Sequence, residues 1–389
     1  MKRTRVVHIL PMLSPGGAER VAVHIVRGLD RDRYEPIFIS FTGRVGCDLD
    51  RMLDDAGIEV RYLSKHRGFD YHVYSRVHRA LMEFRPDVIH THLHVLRYAL
   101  PSMMLLRGAA CLHTVHNLAE REIEPGMRWV QRNAFRRGVV PVAVAEEVAR
   151  TVKRLYRIRE CCVITNGIPT DEYARPKVPR GEWRAREGFT EGDTLFVCVA
   201  RFAPQKNHAL LVGAFAKVAG SNSRARLLLV GEGDLRRELE EQARQLGIAN
   251  QIHFLGLRTD VPDILGATDV FVLSSDYEGN PLSVMEAMAA GLPVVSTSAS
   301  GIRDIVDDRK EGHLVPLGDM QALSDAMTFL MTNQETRRAF GRSALRRARE
   351  NFSVSTMVRS YQELYEGLLG QSHQLTAGHE LQDSALSAR

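Results

Sequence analysis

No apolar run in this sequence approaches the ~18–20 residues needed to span a bilayer. The nearest, Tyr98 to Ala110, has Arg97 at its edge and Arg107 within it. The amino-terminal Met1-Lys-Arg-Thr-Arg opens like a secretion signal. The apolar stretch after it is short, carries His8 and stops at Pro11, so a first strand is expected there instead. Cysteine is scarce. Cys47, Cys111, Cys161, Cys162 and Cys198 form neither a paired framework nor a metal-ligand spacing, and a thiol in an apolar run behaves as a small hydrophobe. These absences count against membrane-spanning and disulfide-built proteins and point to the cytoplasm. A Gly-x-Gly-x-x-Gly fingerprint is also missing, which disfavours a nicotinamide dinucleotide enzyme.

What is present suits a globular protein. Hydrophobic residues make up 44% and charged residues 25%, a balance that builds real cores. At 389 residues the chain is long for one α/β domain and suits two. Charge is uneven: residues 1–160 hold 27 Lys and Arg against 18 Asp and Glu, a net of +9, while the remaining 25 against 29 net −4. A basic front half suits an anionic partner, either a membrane surface or a phosphate-bearing acceptor; scattered surface arginines would give the same count.

Short apolar runs alternate with helical patterns along the chain. Strands are expected at Arg5–Leu10, Pro36–Phe41, Glu59–Leu63, Asp87–Thr91, Cys111–Val115, Val140–Val144 and Cys162–Thr165, then at Leu195–Ala200, Arg226–Val230, Ile252–Leu255, Val270–Leu273, Pro293–Ser296 and Gly312–Val315. The runs are continuously apolar rather than alternating, as in parallel strands covered on both faces. Helical patterns such as Ala18–Leu29 and Leu235–Leu246 separate them, so the fold class is α/β with doubly wound parallel sheets. Pro169, Pro176 and Pro179 mark a linker-like domain break, and Gln371–Arg389 has too few apolar anchors to pack.

The most informative segment runs from Asp269 to Val295. A buried strand ends at Ser274, a loop follows, and Asn280 with Pro281 reads as an N-cap and first helical residue. The helix stops at Gly291 with Pro293 just beyond. At its start the amides of Leu282 and Ser283 lack intrahelical partners and lie at the positive end of the helix dipole, a phosphate site at the carboxyl end of a strand. Glu278 sits before that start and Glu286 two turns inside it. Carboxylates are poor phosphate ligands but good acceptors for sugar hydroxyls; taken alone, the same pair is also a dipole-favouring Glu and a surface Glu.

Set in this context, the segment resembles the donor-binding signature of glycosyltransferase family 4, retaining enzymes of the GT-B fold. The likeness extends from Val6 to about Leu369. It implies two Rossmann-like doubly wound domains facing across a cleft. Residues 1–168 form the acceptor-binding domain and 169–370 the nucleotide-sugar-binding domain, with a last helix able to cross back, followed by a flexible tail over 371–389. It also implies that Glu278, with Gly279 beside it, contacts the transferred sugar and that Glu286 holds the nucleotide ribose.

Further elements fit the same family. Arg201 and Lys206, five residues apart after a strand, resemble the pair that grips the donor pyrophosphate; in isolation they read as solvated cations. Ser14-Pro-Gly16-Gly17-Ala-Glu19 resembles the amino-terminal Gly-Gly loop that covers the donor phosphates. His116 takes the place of the family's histidine facing the transferred sugar, whereas His92 reads better as core or cleft-wall packing. Arg258 lies where the nucleobase packs, Gly231-Glu-Gly233 is either the family's nucleotide turn or a simple tight turn, and Asn166-Gly167-Ile168 matches the hinge entry.

Two departures stand out: Ala145 replaces a usual serine, and Gly-Asn-Pro follows Glu278. Asp30-Arg-Asp32 and Asp48-Leu-Asp50 read as surface charges, and the histidine spacings lack a Cys or acidic companion, so neither a metal nor another cofactor is expected. Arg128, Arg132 and Arg136 share a helix face beside Trp129, which is read as packing into the core in preference to meeting lipid headgroups.

The implied activity is transfer of a sugar from a nucleotide-diphosphate donor, UDP-sugar favoured, to a glycan or lipid-linked acceptor in cell-surface polysaccharide synthesis. The expected partners are that donor, that acceptor and an anionic membrane surface, with no nucleic acid. A nucleotide-sugar epimerase and a non-catalytic binding subunit are the alternatives.

Overall fold

The computed structural model describes residues 2–66, 68–106, 108–123 and 125–386, with side chains described for all of these except Pro125 and 371–386. The chain divides into two compact units, one of Met1–Gly167 with Val354–Arg389 and the other of Ile168–Ser353.

The first unit is built on a seven-stranded parallel sheet of β1 (Thr4–Leu10), β2 (Tyr34–Ser40), β3 (Glu59–Tyr62), β4 (Val88–His92), β5 (Ala110–Val115), β6 (Val140–Ala143) and β7 (Cys162–Val163). Its order is β3-β2-β1-β4-β5-β6-β7. The second unit carries β8 (Thr194–Val199), β9 (Ala225–Val230), β10 (Ile252–Gly256), β11 (Val270–Leu273), β12 (Val294–Thr297) and β13 (Gly312–Val315), ordered β10-β9-β8-β11-β12-β13. All thirteen runs expected as strands are strands, with ends moved by one or two residues. Both sheets reverse direction of growth beside their first strand, between β1 and β4 and between β8 and β11. That doubly wound order leaves a crevice at the carboxyl ends of these strands where ligands bind.

Helices cover both faces of each sheet. In the first unit, one cluster joins Val7, Ile37, Ile89 and Val115 to Val148 and Val152; a separate one joins Leu10 and Phe38 to Val23, Val26 and Leu53. Continuous apolar strands result, because neither face meets water. The long helix Val354–Leu386 belongs to the first unit by its packing on the helix Gly17–Gly28 and on β5.

Local readings differ from the structure in five places. The helix expected to begin at Pro281 spans Leu282–Ala289, with Pro281 as its extended N-cap at ψ 116°. Residues 169–179 are no free linker: Thr170–Ala174 is helical, Tyr173 is buried, and Asp263 accepts from the amides of Lys177 and Val178 at 2.6 and 3.0 Å. Asp50 is buried rather than a surface charge, because its carboxylate accepts from the Gly46 and Cys47 amides and the Tyr62 hydroxyl. Trp129 is 72% exposed rather than in the core, since Ala134 and Phe135 form the buried side of the helix Arg128–Arg136. Of the expected tail, residues 371–386 continue the last helix and 387–389 lie outside the described residues. No helix among the described residues is long and apolar enough to cross a membrane.

Candidate functional site

In the second unit the site residues come from loops at the carboxyl ends of β8, β11 and β12. After β8 the chain makes a single 3-10 turn, Pro204–Lys206, and Asn207 then adopts a left-handed φ of 46° while its side chain caps the helix His208–Ser221. After β11 comes Ser274 to Pro281. The two loops are stitched together. The Ser274 hydroxyl donates to the carbonyls of Lys206 and Asn207 at 2.9 and 2.8 Å. The Asp276 amide donates to the Gln205 carbonyl at 3.0 Å, and the Asn207 amide group donates to Asp276 at 2.8 Å.

At the centre, Lys206 Nζ lies 2.6 Å from Glu278 Oε1. Ser275 Oγ donates to the same oxygen at 2.5 Å, and Gln205 Nε2 approaches Oε2 at 3.3 Å. Glu278 is only 4% exposed. A carboxylate so enclosed requires both its counter-charge and its hydrogen bonds. Oε2 keeps spare acceptor capacity because a carboxylate offers about four lone-pair sites.

The loop after β12 supports this centre from behind. Ser300 Oγ and the Gly301 amide both donate to the Glu278 carbonyl, at 3.1 and 3.2 Å, while Thr297 Oγ1 donates to the Ser275 carbonyl at 2.6 Å. Gly301 is needed for the approach: a Cβ there would stand 2.0 Å from the Gly279 carbonyl oxygen. Gly231 likewise lies against the Ala200 carbonyl, with φ 143° and room for no Cβ, so the Gly-x-Gly turn backs the Arg201 loop.

The remaining expected donor contacts are distributed unevenly. Arg201 is exposed, and no ion pair engages it among the described residues. The amides of Leu282 and Ser283 open the helix Leu282–Ala289, preceded by the buried Gly279, and Glu286 is buried within that helix at 7% exposure. Arg258 is already committed. Its guanidinium forks onto Asp260 with two bonds of 2.7 Å and reaches Glu187 at 2.9 Å, and these carboxylates raise its pKa further. A nucleobase would have to compete with both.

In the first unit, Gly16 is the N-cap of the helix Gly17–Gly28. Its missing side chain leaves room for Glu19, whose carboxylate folds back to accept from Ser14 Oγ at 2.9 Å. Burial raises the Glu19 pKa. Gly17 is exposed.

His116 directly follows β5. Its amide and that of Asn117 donate to Glu122 Oε2 at 2.6 and 2.7 Å. Burial pushes Glu122 up to about 8, against the pull of those two amides. The His116 ring continues inward. Its Nε2 lies 3.0 Å from His92 Nδ1, and His92 Nε2 lies 3.0 Å from His8 Nδ1. Burial lowers His116 and His8 to about 3 and depresses His90 and His92 well below the usual imidazole range.

His8, His90 and His92 also bring one nitrogen each within 4.8 Å of one another, close enough to consider a metal. All six of their ring nitrogens, however, lie within hydrogen-bond distance of protein partners, and the His8 and His92 rings lie at only 23° to each other instead of converging. These residues do not make a ready metal cage.

Several supporting residues carried no recognisable signal: Ser275, Gln205, Ser300 and Gly301 around Glu278, and His8, Tyr361 and Tyr365 behind His116. Each is separated in sequence from, or unremarkable beside, the group it serves.

Residues 15–172 match the family Glycosyltransferase Family 4, and residues 179–347 match the family Glycosyl transferases group 1. The Escherichia coli UDP-Gal:alpha-D-GlcNAc-diphosphoundecaprenol alpha-1,3-galactosyltransferase is 24% identical over 92% of this chain and 95% of its own. The Bacillus anthracis N-acetyl-alpha-D-glucosaminyl L-malate synthase is 23% identical over 84% and 94%. Among solved structures, Anabaena Alr3699/HepE in complex with UDP and glucose superposes with a TM-score of 0.83 at 20% identity, covering 94% of this chain and all of that one. The paired family matches on the two units, each wound on a parallel sheet, place this chain in glycosyltransferase family 4, as an enzyme of the GT-B fold.

Proposed function

We propose that the enzyme transfers a hexose from a UDP-sugar, with retention at the anomeric carbon, to a glycan or lipid-linked acceptor in cell-surface polysaccharide synthesis. The observation that carries this reading is the ion pair of half-buried Lys206 with buried Glu278 at the switch point of the second sheet, with Arg201 left uncommitted on the same loop. The second unit is assigned the donor and the first the acceptor. The E. coli relative's UDP-Gal donor and the UDP in the Anabaena structure support the uridine assignment.

In this scheme the bond from the anomeric carbon to the diphosphate loosens first, leaving an oxocarbenium-like sugar. Arg201, Lys206 and the amides of Leu282 and Ser283 take up the charge that develops on the leaving group. Glu278 accepts from sugar hydroxyls, Glu286 from the ribose, and His116 orients the sugar. The acceptor hydroxyl attacks the face the diphosphate leaves and gives its proton to a departing phosphate oxygen. The scheme calls for no separate protein base and no metal.

Thermal unfolding with a panel of nucleotide sugars tests the donor. A UDP-hexose at 100 times its dissociation constant should stabilise the protein by about 2.7 kcal/mol. UDP release should then require an acceptor. Donor consumption without acceptor would replace transfer by epimerisation, and binding without release would leave only a binding subunit.

The same reading places the enzyme in the cytoplasm, peripheral to an anionic membrane. Trp129, 72% exposed on the helix that carries Arg128, Arg132 and Arg136, joins an aromatic ring to cations suited to lipid headgroups. Co-sedimentation with phosphatidylglycerol vesicles at low salt should exceed that with neutral vesicles and weaken in Trp129→Ala; equal recovery on both would remove the membrane assignment.

A further inference from the structure

Behind His116 runs an unbroken series of buried hydrogen bonds within the first unit. It goes from His116 Nε2 to His92 Nδ1 (3.0 Å), from His92 Nε2 to His8 Nδ1 (3.0 Å), and from His8 Nε2 to the Tyr365 hydroxyl (3.2 Å). From Tyr365 it continues to His90 Nδ1 (2.8 Å), from His90 Nε2 to Thr114 Oγ1 (2.7 Å), and from Thr114 to the Tyr361 hydroxyl (3.1 Å). His8, His90, His92 and Thr114 are 0% exposed, Tyr365 is 0% and Tyr361 is 1%. His116 alone is half-buried, and its Nδ1 bonds to no protein atom among the described residues.

Proton arithmetic orders this series. Burial favours the neutral form of every imidazole and phenol here, so each of the seven groups brings one proton able to donate: four imidazoles, two phenols and one threonine hydroxyl. Six bonds join them, so one proton points outside. Only His116 Nδ1 can present that proton to water or a ligand. Every donor then finds an acceptor when Tyr361 donates to Thr114, Thr114 to His90, His90 to Tyr365, Tyr365 to His8, His8 to His92 and His92 to His116 Nε2. The reverse order strands the Tyr361 hydroxyl proton in the core, and a change of direction midway strands another buried proton. Leaving such a proton unpaired disfavours those orders by a factor on the order of 10 to 100. The neighbouring network does not compete. Thr91 donates to the Leu112 carbonyl and so receives His113 Nδ1–H, leaving His113 Nε2 to accept from Gln131.

We propose that His92, His8, Tyr365, His90, Thr114 and Tyr361 are positioning residues that hold His116 as the neutral Nδ1–H tautomer, a donor-only contact for a sugar oxygen. The inference deepens the assignment of His116 to the transferred sugar, and rests on it for its role in turnover. It excludes His116 as the proton acceptor of the reaction, because its outward nitrogen already carries hydrogen and its inward one accepts from His92.

The experiment is 15N NMR of the full chain labelled at histidine, recorded without donor, with a His116→Gln sample to identify the His116 signals. The wild type should show a protonated Nδ1 and an unprotonated Nε2. Tyr365→Phe cuts the series and takes the partner from both His8 Nε2 and His90 Nδ1; in the segment left with His116, His8 Nε2 is unpaired in either order, so the two tautomers should approach equal populations. Tyr361→Phe is the control. It removes a phenol of the same helix, yet Thr114 then becomes the terminal donor and the order survives, so His116 should stay Nδ1–H. A merely structural role for these tyrosines would give the two variants the same spectrum, which would sink the proposal. So would an Nε2–H tautomer in the wild type, a result that needs no variant to fold. If the ordered tautomer is seen but His116→Ala turns over normally, the relay stands and the sugar assignment of His116 falls.

Discussion

Lys206→Ala is expected to lower turnover by about 100- to 1000-fold, the range for removing one preorganised donor from a developing negative charge. Lys206 is the one cation of the donor loop held in a single place, by its 2.6 Å bond to Glu278. Its ammonium is therefore already oriented when charge develops on the leaving diphosphate, and little reorganisation is required. Glu278→Ala should cost a similar factor, since it removes both the proposed sugar contact and the anchor of Lys206. Residues that act as a unit are not additive. The double variant should accordingly be little slower than either single one. Steady-state rates with saturating donor and acceptor decide the matter; near-normal turnover in both single variants removes the mechanism.

Gly301→Ala should slow the enzyme by about 100-fold while leaving it folded, the effect of displacing reacting groups by roughly 1 Å. Its Cβ would stand 2.0 Å from the Gly279 carbonyl oxygen and 2.9 Å from that of Glu278. Both are backbone atoms, so no side-chain rotation relieves the overlap. The Glu278 loop must move away from the β12 loop, carrying the carboxylate off Lys206. Gly220→Ala is the matched control, because a Cβ there meets nothing within 4 Å and the residue lies in the helix His208–Ser221. It should keep full activity and gain about 0.5–1 kcal/mol from helix propensity. A Gly301→Ala rate within threefold of wild type, checked beside circular dichroism, would show that the loop is not held from behind.

Much of the second unit's site was legible because its parts are local. Gly291 and Pro293 closing a helix are read within a few residues, and so is an acidic residue before that helix begins. The helix starts one residue later than the sequence suggests: Asn280 reads as a cap, but the extended Pro281 takes that place. Trp129 reads inward from the sequence but is 72% exposed. The helix instead turns Ala134 and Phe135 to the protein, and only neighbouring elements could select that face. Arg258 shows the same limit, since its partner Glu187 lies 71 residues away and no local pattern announces it.

The alternation of thirteen apolar runs with helical patterns was enough to determine an α/β chain of parallel strands covered on both faces, because strand and helix periodicities are properties of neighbouring residues. Strand order was decided only in three dimensions: nothing in β1 itself says that it lies between β2 and β4. The same holds for the contacts to which the chemistry is assigned. Lys206 meets Glu278 across 72 residues, and Tyr365 meets His8 across 357, after the last helix returns to the sheet where the chain began. Short-range sterics and hydrophobic periodicity act along the chain, whereas charge pairing and proton order depend on distances that exist only once it has folded.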